Sequence, residues 1–143
     1  MIYLDTSAIV KLIRPELESD ELTEWLNSRQ TEHVITSKLA EVEVPRALRR
    51  EEPARLAAVP SVLAHLDRLD IDDAIRATAG AYPFPHLRSL DAIHLATADQ
   101  LVASGKTISA FVTYDKRLAI TAGEIGLVTA APGGGFNGGQ VSR

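Results

Sequence analysis

Cysteine is absent from all 143 residues, so a disulfide framework, a thiolate zinc site and a cysteine nucleophile are excluded. An excess of positive charge is lacking too. The net charge of −4 and pI near 5.5 have the wrong sign for holding nucleic acid by overall electrostatics. Any contact with phosphate must be local, unless a divalent cation inverts the field of clustered carboxylates or a basic partner covers an acidic surface. Aromatic residues are scarce, and the single tryptophan, Trp25, reads as a packing residue of a helix rather than a base-stacking platform. No apolar run approaches the ~20 residues that span a bilayer, and the N-terminus has neither the basic start nor the apolar core of a signal peptide. The expectation is a cytoplasmic protein with no membrane partner.

What is present fits one ordinary globular domain, with 45% hydrophobic and 24% charged residues. Ile2-Tyr3-Leu4 is a short apolar strand, and Asp5-Thr6-Ser7 offers caps for a helix over 8–13. Helix 20–27, strand 33–36 and helix 38–50 follow, the last with Ser37 as a cap and a kink expected at Pro45. Pro53 starts a further helix with a second kink expected at Pro60. A weak strand over 68–71 leads to a short helix that fades at Gly80. With Ser89 as its cap, helix 90–104 is apolar on nearly every side, so Leu90, Ile93, Leu95, Ala98, Leu101 and Val102 are expected to be largely buried. Strand 110–113, helix 116–122 and strand 127–129 complete the alternation. Strands interleaved with helices call for a parallel sheet between helical layers, with ligands outside the carboxyl ends of the strands. The domain is placed at 1–132 and a flexible glycine-rich tail at 133–143.

Four acids stand where a buried carboxylate is unexpected: Asp5 after a core strand, Glu43 on the third helix, Asp91 in the first turn of a buried helix and Asp115 after a strand. Singly, each has a bland explanation as a helix cap, a dipole-favoured charge or a turn residue. Helical phase separates Glu43 from Glu41, because ~100° per residue puts Leu39, Ala40, Val44, Ala47 and Leu48 on one arc that contains Glu43 and excludes Glu41. An inward glutamate costs several kcal/mol unless it is paired or coordinated. Gathered together, the four would repel one another and raise their pKa values unless a cation sat among them. A hard, oxygen-liganded ion such as Mg2+, or Mn2+ in its place, suits a cluster of carboxylates without cysteine, and can activate water and neutralise a phosphate in transit.

The runs Ile2-Tyr3-Leu4-Asp5-Thr6-Ser7-Ala8, Glu43-Val44-Pro45-Arg46-Ala47-Leu48, Leu90-Asp91-Ala92-Ile93-His94-Leu95-Ala96-Thr97-Ala98 and Val112-Thr113-Tyr114-Asp115-Lys116-Arg117-Leu118 together resemble the PIN-domain ribonucleases, specifically the VapC-type toxins of bacterial toxin–antitoxin pairs. The resemblance covers the chain up to Pro132. It implies a PIN-like three-layer α/β/α sandwich with a central, mostly parallel sheet of four to five strands. It also implies Mg2+-dependent endonuclease activity on RNA, a homodimer and inhibition by a VapB-type antitoxin. By position it makes Asp5 and Asp91 the principal metal ligands, with Glu43 and Asp115 binding a second metal or orienting the water. Thr6 and Thr113 match hydroxyls that line the pocket. Pro45 departs from the pattern and the glycine-rich tail lies outside it.

Milder explanations stand beside these. His94 on the buried helix reads as a hydrogen-bonded core group more readily than as a ligand or base. Arg46, Arg49, Arg50 and Arg55 either hold backbone phosphates or form a solvated face pairing with Glu51 and Glu52, and Arg46 tilts towards the site. Lys116 and Arg117 either meet RNA or simply face solvent. Two rival functions remain: an aspartyl-phosphate phosphatase, although Thr6-Ser7 follows Asp5 where that chemistry wants a second acid two residues on, and a non-catalytic binding module.

Overall fold

A computed structural model describes residues 1–135. The part of the expected tail from residue 136 onward lies outside the described residues. Five parallel strands form one sheet in the order β3-β2-β1-β4-β5: β1 Ile2–Leu4, β2 Val34–Ser37, β3 Asp67–Leu69, β4 Ala110–Val112 and β5 Thr129–Ala130. The helices are α1 Thr6–Ile13, α2 Ser19–Asn27, α3 Ala40–Glu51, α4 Val59–Ala64, α5 Asp73–Ala81, α6 Ser89–Ala103 and α7 Lys116–Glu124, with a 3-10 segment Pro53–Ala58 before α4.

The central strands β1 and β4 are apolar along their whole length because both faces are covered. Ile2 and Leu4 of β1, with Ala110 and Val112 of β4, pack on residues of α1, α2, α3 and α4. The alternate residues Tyr3 and Phe111 point the other way, to Leu95, Ala98 and Leu101 of α6 and Leu118 and Ala122 of α7. Tyr3 pairs directly with Phe111 across the ladder, and their rings stack 5.1 Å apart. α5 packs on α6. The result is the three-layer sandwich expected, with five strands. Each fully buried aliphatic side chain contributes roughly 1.5–3 kcal/mol. No helix among the described residues is long and apolar enough to cross a membrane.

Local signals placed most boundaries, and the exceptions have physical causes. Pro60 makes no kink in a longer helix. It sits in the first turn of α4, where its missing N–H has no helical acceptor to lose. α3 runs through Pro45 as one helix. Ser89 is the first residue of α6 rather than its cap; the cap position is the extended Arg88, which makes no side-chain capping bond. Leu90 and Val102 are exposed, not buried, so α6 has a solvent edge at each end. The last strand begins two residues later than expected. Leu127 N–H is taken by Ala122 O at 3.0 Å, in a turn that Gly126 permits at φ 95°, and the ladder resumes where Phe111 N–H donates to Val128 O at 2.7 Å.

Candidate active site

In this strand order the chain steps from β1 outward through β2 and β3, then returns to the other side of β1 for β4 and β5. The carboxyl ends of β1 and β4 are therefore neighbours, while the helices leaving them, α1 and α7, diverge to opposite faces of the sheet. That divergence opens a crevice at the switch point, where sheets of this kind hold ligands. Asp5 follows β1 and Asp115 follows β4. Both are also helix caps: Asp5 Oδ1 accepts from Ala8 N at 3.0 Å, and Asp115 Oδ1 accepts from Arg117 N at 2.9 Å and Leu118 N at 3.1 Å. The bland role and the placement at the crevice are thus the same fact.

Two hydroxyls stitch the strand ends together. Thr113 Oγ1 donates to Asp5 Oδ2 at 2.6 Å and accepts from Asp115 N at 3.1 Å. In reciprocal fashion Ser7 Oγ donates to Asp5 Oδ1 at 2.7 Å and accepts from Tyr114 N at 3.0 Å. Asp5 is only 4% exposed, and burial pushes its carboxyl above the ordinary value against the pull of His94 and of these donors.

Glu43 reaches in from α3, as its helical phase requires, while Glu41 is exposed and pairs with Arg68. Glu43 Oε1 accepts from Thr6 Oγ1 at 2.5 Å and lies 2.8 Å from His94 Nε2, which is itself 3.1 Å from Thr6 Oγ1. His94 Nδ1 lies 2.8 Å from the Tyr3 hydroxyl. The Glu43 carboxylate can only accept, so a neutral imidazole keeps its hydrogen on Nε2 and takes the Tyr3 hydroxyl as donor at Nδ1, while burial holds that phenol well above its ordinary value. The histidine therefore presents its N–H to Glu43 from Nε2. For Glu43 itself burial would raise the pKa, but the hydrogen bonds from His94 and Thr6 and the charge of Arg88 outweigh it and hold the carboxyl below the ordinary value. His94 is the buried, hydrogen-bonded core group that a histidine on an apolar helix suggests, and its bond reaches the site.

Asp91 comes from the first turn of α6. Burial raises its carboxyl, Arg88 lowers it, and the charges of Asp115 and Asp5 raise it further, with a net upward shift. Arg88 donates from Nε to Asp91 Oδ2 at 3.3 Å and from Nη2 to Asp115 Oδ2 at 3.2 Å. Asp5, Glu43, Asp91 and Asp115 all line one cavity of about 380 Å³, together with Thr6, Arg88 and His94. Arg46 is exposed on an adjoining groove, beside Thr6, Glu43, Arg50 and Asp91.

As these side chains stand, no three carboxylates or histidines among the described residues are grouped closely enough to hold a metal ion. The donor set nonetheless fits a hard dication. It is all carboxylate oxygen, burial pushes Asp5 and Asp91 towards protonation, the charges of Asp115 and Asp5 push Asp91 further, and a guanidinium already lies between two of the four. Ser7, Tyr3 and Arg88 were not singled out by sequence reasoning. Arg88 carried a usable signal, since it lies three residues before Asp91 at a helix start.

A family model described as the PIN domain matches residues 2–124. Ribonuclease VapC35 of Mycobacterium tuberculosis is 59% identical over 133 residues, covering 93% of this chain and 98% of that one. The crystal structure of Mycobacterium tuberculosis VapC20, a sarcin-ricin loop cleaving toxin, superposes with a TM-score of 0.67 at 16% identity, covering 90% of this chain and 97% of that one. VapBC2 from Rickettsia felis, bound to a DNA fragment from its promoter, gives 0.64 at 15% identity, covering 92% and 99%. With the PIN model spanning most of the chain and a VapC relative matching it almost end to end, the protein belongs to the PIN-domain family, in its VapC-type ribonuclease branch.

Proposed function

We propose that this chain is an endoribonuclease toxin that hydrolyses RNA phosphodiester bonds with the help of Mg2+, or Mn2+ in its place, and that a VapB-type antitoxin restrains it. The observation that carries the mechanism is the convergence of Asp5, Glu43, Asp91 and Asp115 on one cavity at the sheet's switch point. A divalent cation there would supply activation of a water and neutralisation of charge on the scissile phosphate.

The chain's own residues do the rest. Asp5 and Asp91 would hold the ion, Asp5 being fixed from three sides by Ser7, Ala8 and Thr113. Glu43 and Asp115 complete the quartet. His94 and Thr6 occupy Glu43 Oε1, which leaves Oε2 as the oxygen that can accept from a water or meet a second ion. Glu43 Oε2 is thereby placed to accept a hydrogen bond from that water and orient it. Arg46 and Arg50 lie on the adjoining groove, where backbone phosphates of a single-stranded or looped RNA would run. A homodimer acting in the cytoplasm, with residues 1–132 as the nuclease unit, is part of the same proposal. The antitoxin is supported by the likeness to solved toxin–antitoxin complexes.

The test is substitution in a clean preparation. Asp5→Asn and Asp91→Asn should each lower Mg2+-dependent cleavage by at least ~100-fold while the circular dichroism spectrum stays native, and EDTA should abolish cleavage by the parent. Undiminished cleavage by either variant would refute the mechanism.

A further inference from the structure

Arg88 occupies a position that the mechanism above leaves unused. Its guanidinium spans Asp91 and Asp115, two carboxylates of the proposed metal-binding set. The contacts of 3.3 and 3.2 Å exceed the ~2.7–2.9 Å of close charge-assisted bonds, and the side chain is 75% exposed. Such a pair is held loosely, and a dication would displace it readily. Arg88 stands one residue outside α6, with extended backbone, so its stem is not committed to the helix.

Three cavities adjoin here, of about 480, 540 and 380 Å³, and Arg88 and Asp91 are the two residues that line all three. A strand crossing from either groove to the carboxylates passes this arginine. A guanidinium is a planar fork that matches two phosphate oxygens as well as it matches two carboxylates. Unlike Arg46, it already stands at the acids.

We propose that Arg88 is a phosphate-binding residue of the cleavage reaction which, before metal and RNA arrive, serves as the internal counterion of Asp91 and Asp115 and yields that place to the dication. This rests on the nuclease mechanism. One guanidinium then has two successive partners: the carboxylate pair in the metal-free protein and a backbone phosphate in the complex. The competing possibility is an i,i+3 surface ion pair at a helix start, which would leave metal affinity and turnover untouched.

The experiment uses the full chain, with Arg88→Gln and Arg88→Lys beside the parent. Mn2+ binding is measured by calorimetry, and kcat and KM on a single-stranded RNA oligonucleotide that the parent cleaves. Removing a competing cation should tighten Mn2+ binding by Arg88→Gln roughly two- to tenfold, while kcat/KM falls on the order of 100-fold. Arg88→Lys keeps a point charge without the fork, so its Mn2+ affinity should stay near the parent's while kcat/KM falls about tenfold. That variant also carries the test should Arg88→Gln not fold. Unchanged or weakened Mn2+ binding by Arg88→Gln, or cleavage by both variants within about twofold of the parent, overturns the proposal. A parent that neither binds Mn2+ nor cleaves RNA overturns the nuclease mechanism itself, and the Arg88 assignment with it.

Discussion

Thr113→Val removes a single hydroxyl at the junction of β1 and β4 while preserving its shape. Thr113 is fully buried, so no water can replace what is lost. Two hydrogen bonds go: the one to Asp5 Oδ2 at 2.6 Å and the one from Asp115 N at 3.1 Å. A bond to a charged, buried acceptor contributes about 1.5–3 kcal/mol and a neutral one about 0.5–1.5, so the variant should lose roughly 2–4 kcal/mol. In a domain of this size that corresponds to a fall of about 6–15 °C in Tm. The assay is urea and thermal unfolding followed by circular dichroism, in EDTA at neutral pH. A double-mutant cycle sharpens it. In an Asp5→Asn background the charged acceptor is gone, so the cost of Thr113→Val should shrink by about 1–2 kcal/mol. A loss under ~0.5 kcal/mol, or the same loss in both backgrounds, would show that the hydroxyl does not hold the carboxylate.

Two further outcomes follow from the site. Tyr3→Phe keeps the stack on Phe111 but deletes the donor to His94 Nδ1, and should cost about 1–2 kcal/mol while the imidazole nitrogen NMR shifts report a mixed tautomer in place of one. A single unchanged tautomer would contradict it. In EDTA, stability should fall as pH rises from about 4 towards neutrality, because Asp5 and Asp91 have folded pKa values above their unfolded ones and the folded state therefore binds more protons in that window. Their contribution is complete below the unfolded value of ~3.9 and fades as pH rises through the folded ones, whereas Glu43, shifted downward, loses its contribution only as pH falls below ~4.3. Asp91→Asn should flatten the fall in unfolding midpoint and Mn2+ should reverse it; a midpoint that climbs over this range in EDTA would contradict the sign.

The centre of the sheet was legible because β1 and β4 are short apolar runs followed by cap residues, and helix phase alone separated Glu43 from Glu41. Both are local properties, read within a few residues. Asp5 and Asp115 were legible as caps after strands. What could not be read were partnerships across the chain. Tyr3 and His94 meet over a separation of 91 residues, and Ser7 reaches Tyr114 over 107. Nothing near Tyr3 in the sequence marks its hydroxyl as polar within a core, since an aromatic in an apolar strand looks the same with or without a partner. The burial of Leu90 and Val102 was misjudged for a related reason. An evenly apolar helix has no preferred face in its own sequence, and its solvent edges are decided by where the neighbouring elements end. The antitoxin and the homodimer entered through family resemblance alone, whereas the metal also followed from the chemistry of clustered carboxylates without cysteine.

The four acids are held by unlike devices, and the difference bears on how such a cluster can fold before an ion arrives. Asp5 and Glu43 have donors on them, hydroxyls, a backbone N–H and an imidazole, that belong to α1, to α6 and to the end of β4. Those bonds form with the core and stay with it. Asp91 has no such set; beyond its helix start it has Arg88, which is mostly solvated. Asp115 shares in both, since two backbone N–H groups of α7 fix its Oδ1, while its Oδ2, like Asp91, is balanced by a cation that can leave. Four fixed carboxylates would destabilise the metal-free protein through uncompensated repulsion, and four tightly neutralised ones would have no affinity for a dication. A rigid pair joined to a loosely countered pair avoids both penalties, which is why replacing Arg88 tests the site's design more directly than replacing any of its acids.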